Sequence, residues 1–394
     1  MKNIIKTYVE KRINDLKQYM SKEGIGLAII SSPENVFYFS NFNPILTSHP
    51  ALMLIRPDHE ACLLVHSIRC DHAKKEGVID NVQLYGKWGA NVTLAMHPIE
   101  AVHELIGDEP ITIGLEFAHL NIGMQQQLKA ALQITHEQDI SSQISHMKFI
   151  KDSHEIDCIK KAAHLTDIGV QTAIECLANG YNEAMACTEG QYKMRQAWHE
   201  YYQDYEVAGF GNPEAGLIDS CVVWSMANER IAYGCDCPQA YKPVDGDLVL
   251  PMSWAKIGGY SAENERTVAF GQLCGVRQRG YSAMLQAREN IYDILRPGTT
   301  FEELYLAAAK AFIAAGFGDV LPGRVGHGIG LSAHEHPSLA KGNTIALQPG
   351  MTFTVEPGLM TKEWGGARHS DTVLITQDGF EFLTKLDRGL ISIG

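Results

Sequence analysis

The sequence predicts a two-domain α/β protein, an N-terminal α/β unit followed by a larger α+β unit. Three observations carry this. The chain has 394 residues, more than the roughly 250–300 at which single hydrophobic cores stop growing. Its first part alternates short apolar strand runs with helical spacing. Near Met147 that alternation gives way to long helices and then to a strand-rich stretch, so the domains are expected at residues 1–146 and 147–394.

In order, the opening stretch places Ile13, Leu16 and Met20 on one helical face, and GLAIISSPEN reads as a buried strand, a turn and a helix start. ALMLIRPD, EACLLVHS and ITIGLEF are further strands with helices between them. Beyond Met147, Ile156, Ile159, Ala162 and Ala163 keep a helical spacing that Gly180 closes. A second helix, CTEGQYKMRQAWHEYY, precedes strands at DSCVVWS, GDLVLPMSWA and GYSAENERTVAFG. Helices at ENIYDIL and TFEELYLAAAKAFIAAGF follow, and the chain closes with strands at MTFTVEPGL and DTVLIT.

Composition narrows the partners. A formal net charge of −13 argues against nucleic acid or an anionic membrane surface, because both need a basic patch. The charged, amphipathic N-terminus lacks the apolar core of a signal peptide, and no run reaches the ~18 apolar residues of a membrane span. Nine cysteines, an odd number without framework spacing, fit free thiols in a reducing compartment. The expectation is a cytoplasmic protein acting on a small molecule.

The chemistry concentrates in the second half. In YSAENERTVAFG, Glu263 and Glu265 stand two apart, which on a strand puts both carboxylates on one face. If that face is buried they must share a proton, pair with cations or hold a metal. The preceding strand turns back at KIGG, where glycines supply the positive φ of a tight turn, and Met252 is expected near Glu263 across the hairpin. GHGIGLSAHEHP sets His327 between glycines and brings His334 and His336. TFTVEPGL carries Glu356, and GGARHSDTVLIT carries Arg368, His369 and Asp371.

GDLVL, GHGIGLSAHEHP, GMTFTVEPGL and DTVLIT, in this order and spacing, resemble the pita-bread family of methionine aminopeptidase, prolidase, Xaa-Pro aminopeptidase and creatinase. The resemblance implies a creatinase/prolidase-type N-terminal domain, a pita-bread catalytic domain and a homodimer. In the family's metallopeptidases it implies two metal ions among five ligands. Their positions here hold Met252, Glu263, His327, Glu356 and Ser370, so two ligands are replaced by groups that do not substitute for carboxylates on hard or borderline ions. The metal-free creatinase branch is the nearer pattern, since its E-R-T strand ending is matched by Glu265, Arg266 and Thr267. Its acid–base histidine, however, is Cys235 here.

The resulting expectation is a metal-independent hydrolase, without cofactor, of a C–N bond in a guanidine, amidine or cyclic amidine. His327, Glu263, Glu265 and Glu356 are its expected catalytic residues, and His334, His336, Arg368, Cys235 and His369 its expected substrate contacts. One alternative is a relative of the Xaa-Pro aminopeptidases and prolidases with a single divalent ion on Glu263, His327 and Glu356. Others are a non-hydrolytic lyase and an inactive binding protein of the same fold.

Overall fold

The computed structural model of the chain describes residues 2–216, 219–234 and 236–394. Cys235 lies outside the described residues. The chain divides into two compact units, one of residues 1–148 with 209–218 and one of residues 149–208 with 219–394.

The first unit is built on a six-stranded sheet of β1 (Leu27–Ile30), β2 (Leu52–Ile55), β3 (Cys62–His66), β4 (Val82–Tyr85), β5 (Ile111–Leu115) and β6 (Ile134–Asp139), in spatial order β4-β3-β2-β1-β5-β6. The fully buried run of β1 explains its continuous apolar sequence. The turn after it starts a helix at Pro33–Ser40, with Ser32 as N-cap. The Glu116 carboxylate pins that turn, accepting from the Ser32 backbone N–H at 2.9 Å and the Ser32 hydroxyl at 2.7 Å.

The second unit begins with two long helices, Ser153–Ala178 and Glu183–Tyr201, the first capped by Asp152 and Glu155 in a capping box. Its strands are β7 (Val222–Ala227), β8 (Leu248–Ile257), β9 (Tyr260–Glu265), β10 (Val268–Phe270), β11 (His327–Gly328), β12 (Glu335–Ser338), β13 (Thr352–Val355), β14 (Gly358–Thr361), β15 (Gly365–Arg368), β16 (Ser370–Ile375), β17 (Phe380–Phe382) and β18 (Ile391–Ile393). The main sheet runs β12-β11-β13-β16-β9-β8-β10-β18, while β14 and β15 form a separate ribbon. Helices Gly275–Tyr292 and Phe301–Ala314 pack their apolar residues, among them Met284, Ile291, Leu304 and Phe312, into one core with the sheet.

Register decides which side chains meet. β8 and β9 form a hairpin through Gly258 and Gly259, both at positive φ. The pairing sets Met252 opposite Glu265 and Trp254 opposite Glu263. Glu265, not Glu263, is therefore the direct neighbour of Met252, because a two-residue turn fixes the ladder from Ile257 and Tyr260 outward. On its other side β9 meets β16, with Ser370 opposite Glu265. Met252, Glu265 and Ser370 thus form one row across three strands.

The seam between β9 and β16 is held by Arg266, which is fully buried. It donates to the Asp371 carboxylate at 2.7 Å and to the carbonyls of Glu265, Ser370 and Asp387 at 2.8, 2.9 and 2.8 Å. Asp371 also accepts from Tyr292 at 2.7 Å and Thr384 at 2.9 Å. These cations and donors outweigh its burial and hold its carboxyl far below the usual range. Replacing Arg266 with Met strands part of this buried charge. The unfolding free energy is expected to fall by about 3–5 kcal/mol, read as a lower urea midpoint. Arg266→Met combined with Asp371→Leu is expected to cost less than the two single changes added together. An unchanged midpoint for Arg266→Met shows the pair to be dispensable.

Candidate active site

The GHGIG segment places His327 by close backbone approach. A Cβ at Gly326 would lie 2.0 Å from the Thr354 carbonyl oxygen, and one at Gly328 would lie 2.6 Å from that of His336, so only glycine lets the segment settle against β13 and β12. The His327 backbone N–H donates to the Thr354 hydroxyl at 3.1 Å. Its ring Nδ1–H donates to the Gly328 carbonyl at 3.0 Å, which in the neutral ring leaves Nε2 as the lone-pair nitrogen. Nε2 is fully buried, 3.5 Å from a Glu356 oxygen and 3.8 Å from a Glu263 oxygen. Among the described residues it makes no hydrogen bond.

Glu263 and Glu265 are both about 1 % exposed and project from β9 to one side, as the two-residue spacing requires. Their surroundings differ. Glu263 accepts from the Trp254 indole N–H and the Ser370 hydroxyl, each at 2.7 Å. Glu265 accepts from Arg368 through Nε at 2.5 Å and Nη2 at 2.6 Å, the forked geometry of a strong charge-assisted pair. The same Nη2 lies 3.9 Å from the Met252 sulfur. Glu356 stands at the end of β13, a tenth exposed, with Arg324 Nε 3.9 Å away.

Crowding of carboxylates dominates the electrostatics. Burial, then the Glu356 and Glu265 charges, push the Glu263 carboxyl well above its ordinary value. Burial lowers His327, but the Glu356 and Glu263 carboxylates outweigh it and hold the ring more basic than in water. Burial raises Glu356, and His327 beside it more than reverses this. For Glu265, burial wins over the Arg368 guanidinium and the carboxyl is raised. The carboxylates of this cluster outnumber its one buried guanidinium, and a divalent cation is the chemical remedy for the remaining negative charge.

The donor atoms are placed to accept one. One nitrogen each of His327 and His334 and one oxygen of Glu263 lie within 4.8 Å of one another, as do oxygens of Glu263, Glu265 and Glu356. Carboxylate and imidazole are the donor set of borderline divalent ions, so these residues fit such an ion. Beside them, Glu356 and Arg368 line a cavity of about 450 Å³ with Arg324, Ser338 and Met360.

Of the residues expected from sequence, His327, Glu263, Glu265, Glu356, Arg368 and His334 converge. His334 sits at the exposed edge, its ring 4.2 Å from that of His327. His336 is exposed on β12, and it is Glu335 that turns inward, to Lys151 at 3.1 Å. His369 is fully buried away from the cluster. Its Nδ1 accepts from Arg288 Nη1 at 2.8 Å, and burial and the Arg266 and Arg288 charges hold the ring far less basic than in water. It alternates with Ser370 along the strand and so faces the helix Gly275–Tyr292. Asp371 is committed to Arg266. Sequence reasoning missed Trp254 and Arg324. The hairpin register opposite Glu263 was the signal for Trp254, and Arg324, from a loop, gave none.

Comparison with known proteins places these residues in a wider group. An Xaa-Pro dipeptidase of Pyrococcus furiosus is 26% identical over 383 residues, 97% of this chain and 100% of the relative. The putative dipeptidase YkvY of Bacillus subtilis is 27% identical over 385 residues, 96% of this chain and 99% of the relative. The solved prolidase from Pyrococcus horikoshii superposes with a TM-score of 0.82 at 26% identity, covering 97% of this chain and 100% of that one. These full-length likenesses overturn the expected metal-independent hydrolysis of guanidines, amidines or cyclic amidines. The E-R-T ending that suggested it is occupied by pairs of another kind, Glu265 with Arg368 and Arg266 with Asp371.

The expectation of no cofactor is corrected as well. The model of metallopeptidase family M24 matches residues 157–377, and the carboxylate and imidazole clusters can hold an ion. Met252 and Ser370 supply no ligand at two of the five family positions, yet Glu263, Glu356 and both histidines still converge. The creatinase/prolidase N-terminal domain matches residues 12–150. The chain is therefore a hydrolase of metallopeptidase family M24, with a creatinase/prolidase-type N-terminal domain and a pita-bread catalytic domain.

Proposed function

We propose that the protein is a metal-assisted dipeptidase of the Xaa-Pro type. The observation that carries this reading is the buried Nε2 of His327, its tautomer fixed through Gly328 and its lone pair aimed between Glu263 and Glu356. Full-length likeness to Xaa-Pro dipeptidases supports the substrate class. Glu263, His327 and Glu356 would hold one divalent ion, with a His334 nitrogen within 4.8 Å of the Glu263 and His327 donor atoms. Bound there, the ion supplies Lewis-acid polarisation of the scissile carbonyl and acidifies a water.

The chain's own residues do the rest. Trp254 and Ser370 each donate to one oxygen of Glu263, which fixes the carboxylate's orientation as outer partners do for a ligand. Glu356, on the cavity wall, takes the proton of the attacking water and delivers it to the proline nitrogen as the C–N bond breaks. Arg324, at the cavity rim beside Glu356, is placed for the free carboxylate of a dipeptide. The cavity is of a size that suits a small ligand. A cytoplasmic homodimer acting on small peptides is the form we infer. The free thiols among the described residues and the family resemblance support it. Among those residues no helix is long and apolar enough to cross a membrane.

Incubation with an Xaa-Pro dipeptide and Mn²⁺ or Co²⁺ is expected to release free proline, while creatine is left intact. EDTA is expected to abolish the activity and added ion to restore it; chelator-resistant hydrolysis overturns the reading. His327→Ala is expected to weaken ion binding by more than about 100-fold, beyond the 10–100-fold typical of outer-partner changes, with the melting temperature of the ion-free protein little changed. Calorimetric ion titration reads the first effect, and equal affinity in variant and wild type removes His327 from the site.

A further inference from the structure

Three carboxylates, Glu263, Glu265 and Glu356, meet in one largely dry place, and the inventory of cations facing them is short. Arg368 is committed to Glu265 by two hydrogen bonds and is 15% exposed at its side chain. Arg324 lies 3.9 Å from Glu356 but is 44% exposed, so water screens it. Resting on the dipeptidase reading above, in which the carboxylates are ionised and His327 neutral once an ion is bound, the buried cluster carries three negative charges and one positive charge. A single divalent ion closes that balance, and two would leave an excess of two positive charges in a buried site.

The row of side chains across the sheet points the same way. Opposite Glu265 on either side stand Met252 and Ser370. The first offers a thioether, a poor partner for a hard or borderline ion. The second already donates its proton to Glu263. The Arg368 Nη2 lies 3.9 Å from the Met252 sulfur, so the guanidinium sits in this row and uses both oxygens of Glu265. We propose that the Glu265–Arg368 pair is a built-in cation site that takes the place of a second metal ion, making this a single-ion centre with Arg368 as its permanent positive charge. Arg368 is in this sense a positioning residue. It sets how many ions the centre takes and how tightly, by charge rather than by ligation.

Titration of the ion-free, full-length protein with Co²⁺, followed by visible absorbance and by native mass spectrometry, tests this. Wild type is expected to saturate at one ion per chain. Arg368→Met removes the guanidinium and frees Glu265, and is expected to bind its first ion on the order of tenfold or more tightly, or to take up a second. Glu265→Gln leaves the guanidinium unpaired and is expected to shift affinity the opposite way by a similar factor. Arg368→Lys, which keeps the charge, is expected to stay within a few-fold of wild type. Two ions on wild type overturn the proposal, as do identical titrations of wild type, Glu265→Gln and Arg368→Met. If Arg368→Met does not fold, the Glu265→Gln titration decides alone: weaker binding at one ion supports the proposal, and loss of one ion from two refutes it. Ion binding without hydrolysis of any Xaa-Pro dipeptide counts against the dipeptidase reading and leaves the ion count standing.

Discussion

The constraint on which the site depends is the concentration of negative charge on one face of β9. Two glutamates at alternate positions of a buried strand, with a third brought in by β13, form an arrangement that ordinary packing does not sustain, because each desolvated carboxylate costs several kcal/mol unless it is paired. Every unusual feature nearby answers that cost. Arg368 takes both oxygens of Glu265. Trp254 and Ser370 spend their polar hydrogens on Glu263. His327 gives up a packing environment for a place between glycines, where its free nitrogen faces the remaining charge.

The same face is stiffened from behind. Residues alternate along a strand, so Arg266, next to Glu265, points to the opposite side, where it binds Asp371 and a run of carbonyls. Asp371, next to Ser370, does the same from β16. One adjacent pair of residues on each strand therefore carries both functions: Glu265 and Ser370 toward the cluster, Arg266 and Asp371 toward the scaffold. The scaffold pair fixes the register of β9 against β16, and a one-residue slip would turn the carboxylates into the core and Arg266 into the site. Stability and chemistry are coupled here through strand geometry rather than through shared contacts.

This alternation explains what the sequence made legible. The strand pattern of YSAENERTVAFG alone puts Glu263 and Glu265 on one face, and GHGIG marks an imidazole set among glycines that permit close approach. The fold class followed from the same motifs. Sequence did not reveal which cation each carboxylate meets. That depends on the register of three strands: shifting the hairpin by two residues would set Met252 against Glu263 and Glu265 against Leu250, one step farther from the turn. His369 shows the limit from the other direction. Beside two polar neighbours in HSD it looked like a site residue, but the period of two sends it to the helix Gly275–Tyr292, where Arg288 awaits it.

The functional misreading had a physical root as well. Counting replaced ligands treats a metal centre as a list, and by that count Met252 and Ser370 emptied it. Charge is the better ledger. Position 252 carries no carboxylate, but Glu265 stands directly opposite it on the ladder, so the row still holds one negative charge, carried by β9. Ser370 then removes one charge without a replacement, and the guanidinium of Arg368 offsets another. What remains after these exchanges is the charge of two carboxylates around one imidazole, and that is the demand of one divalent ion. A centre that has lost two ligands by name can thus keep the electrostatic need for a metal, because the field in a buried site follows from the sum of its charges and only secondarily from which strand carries them.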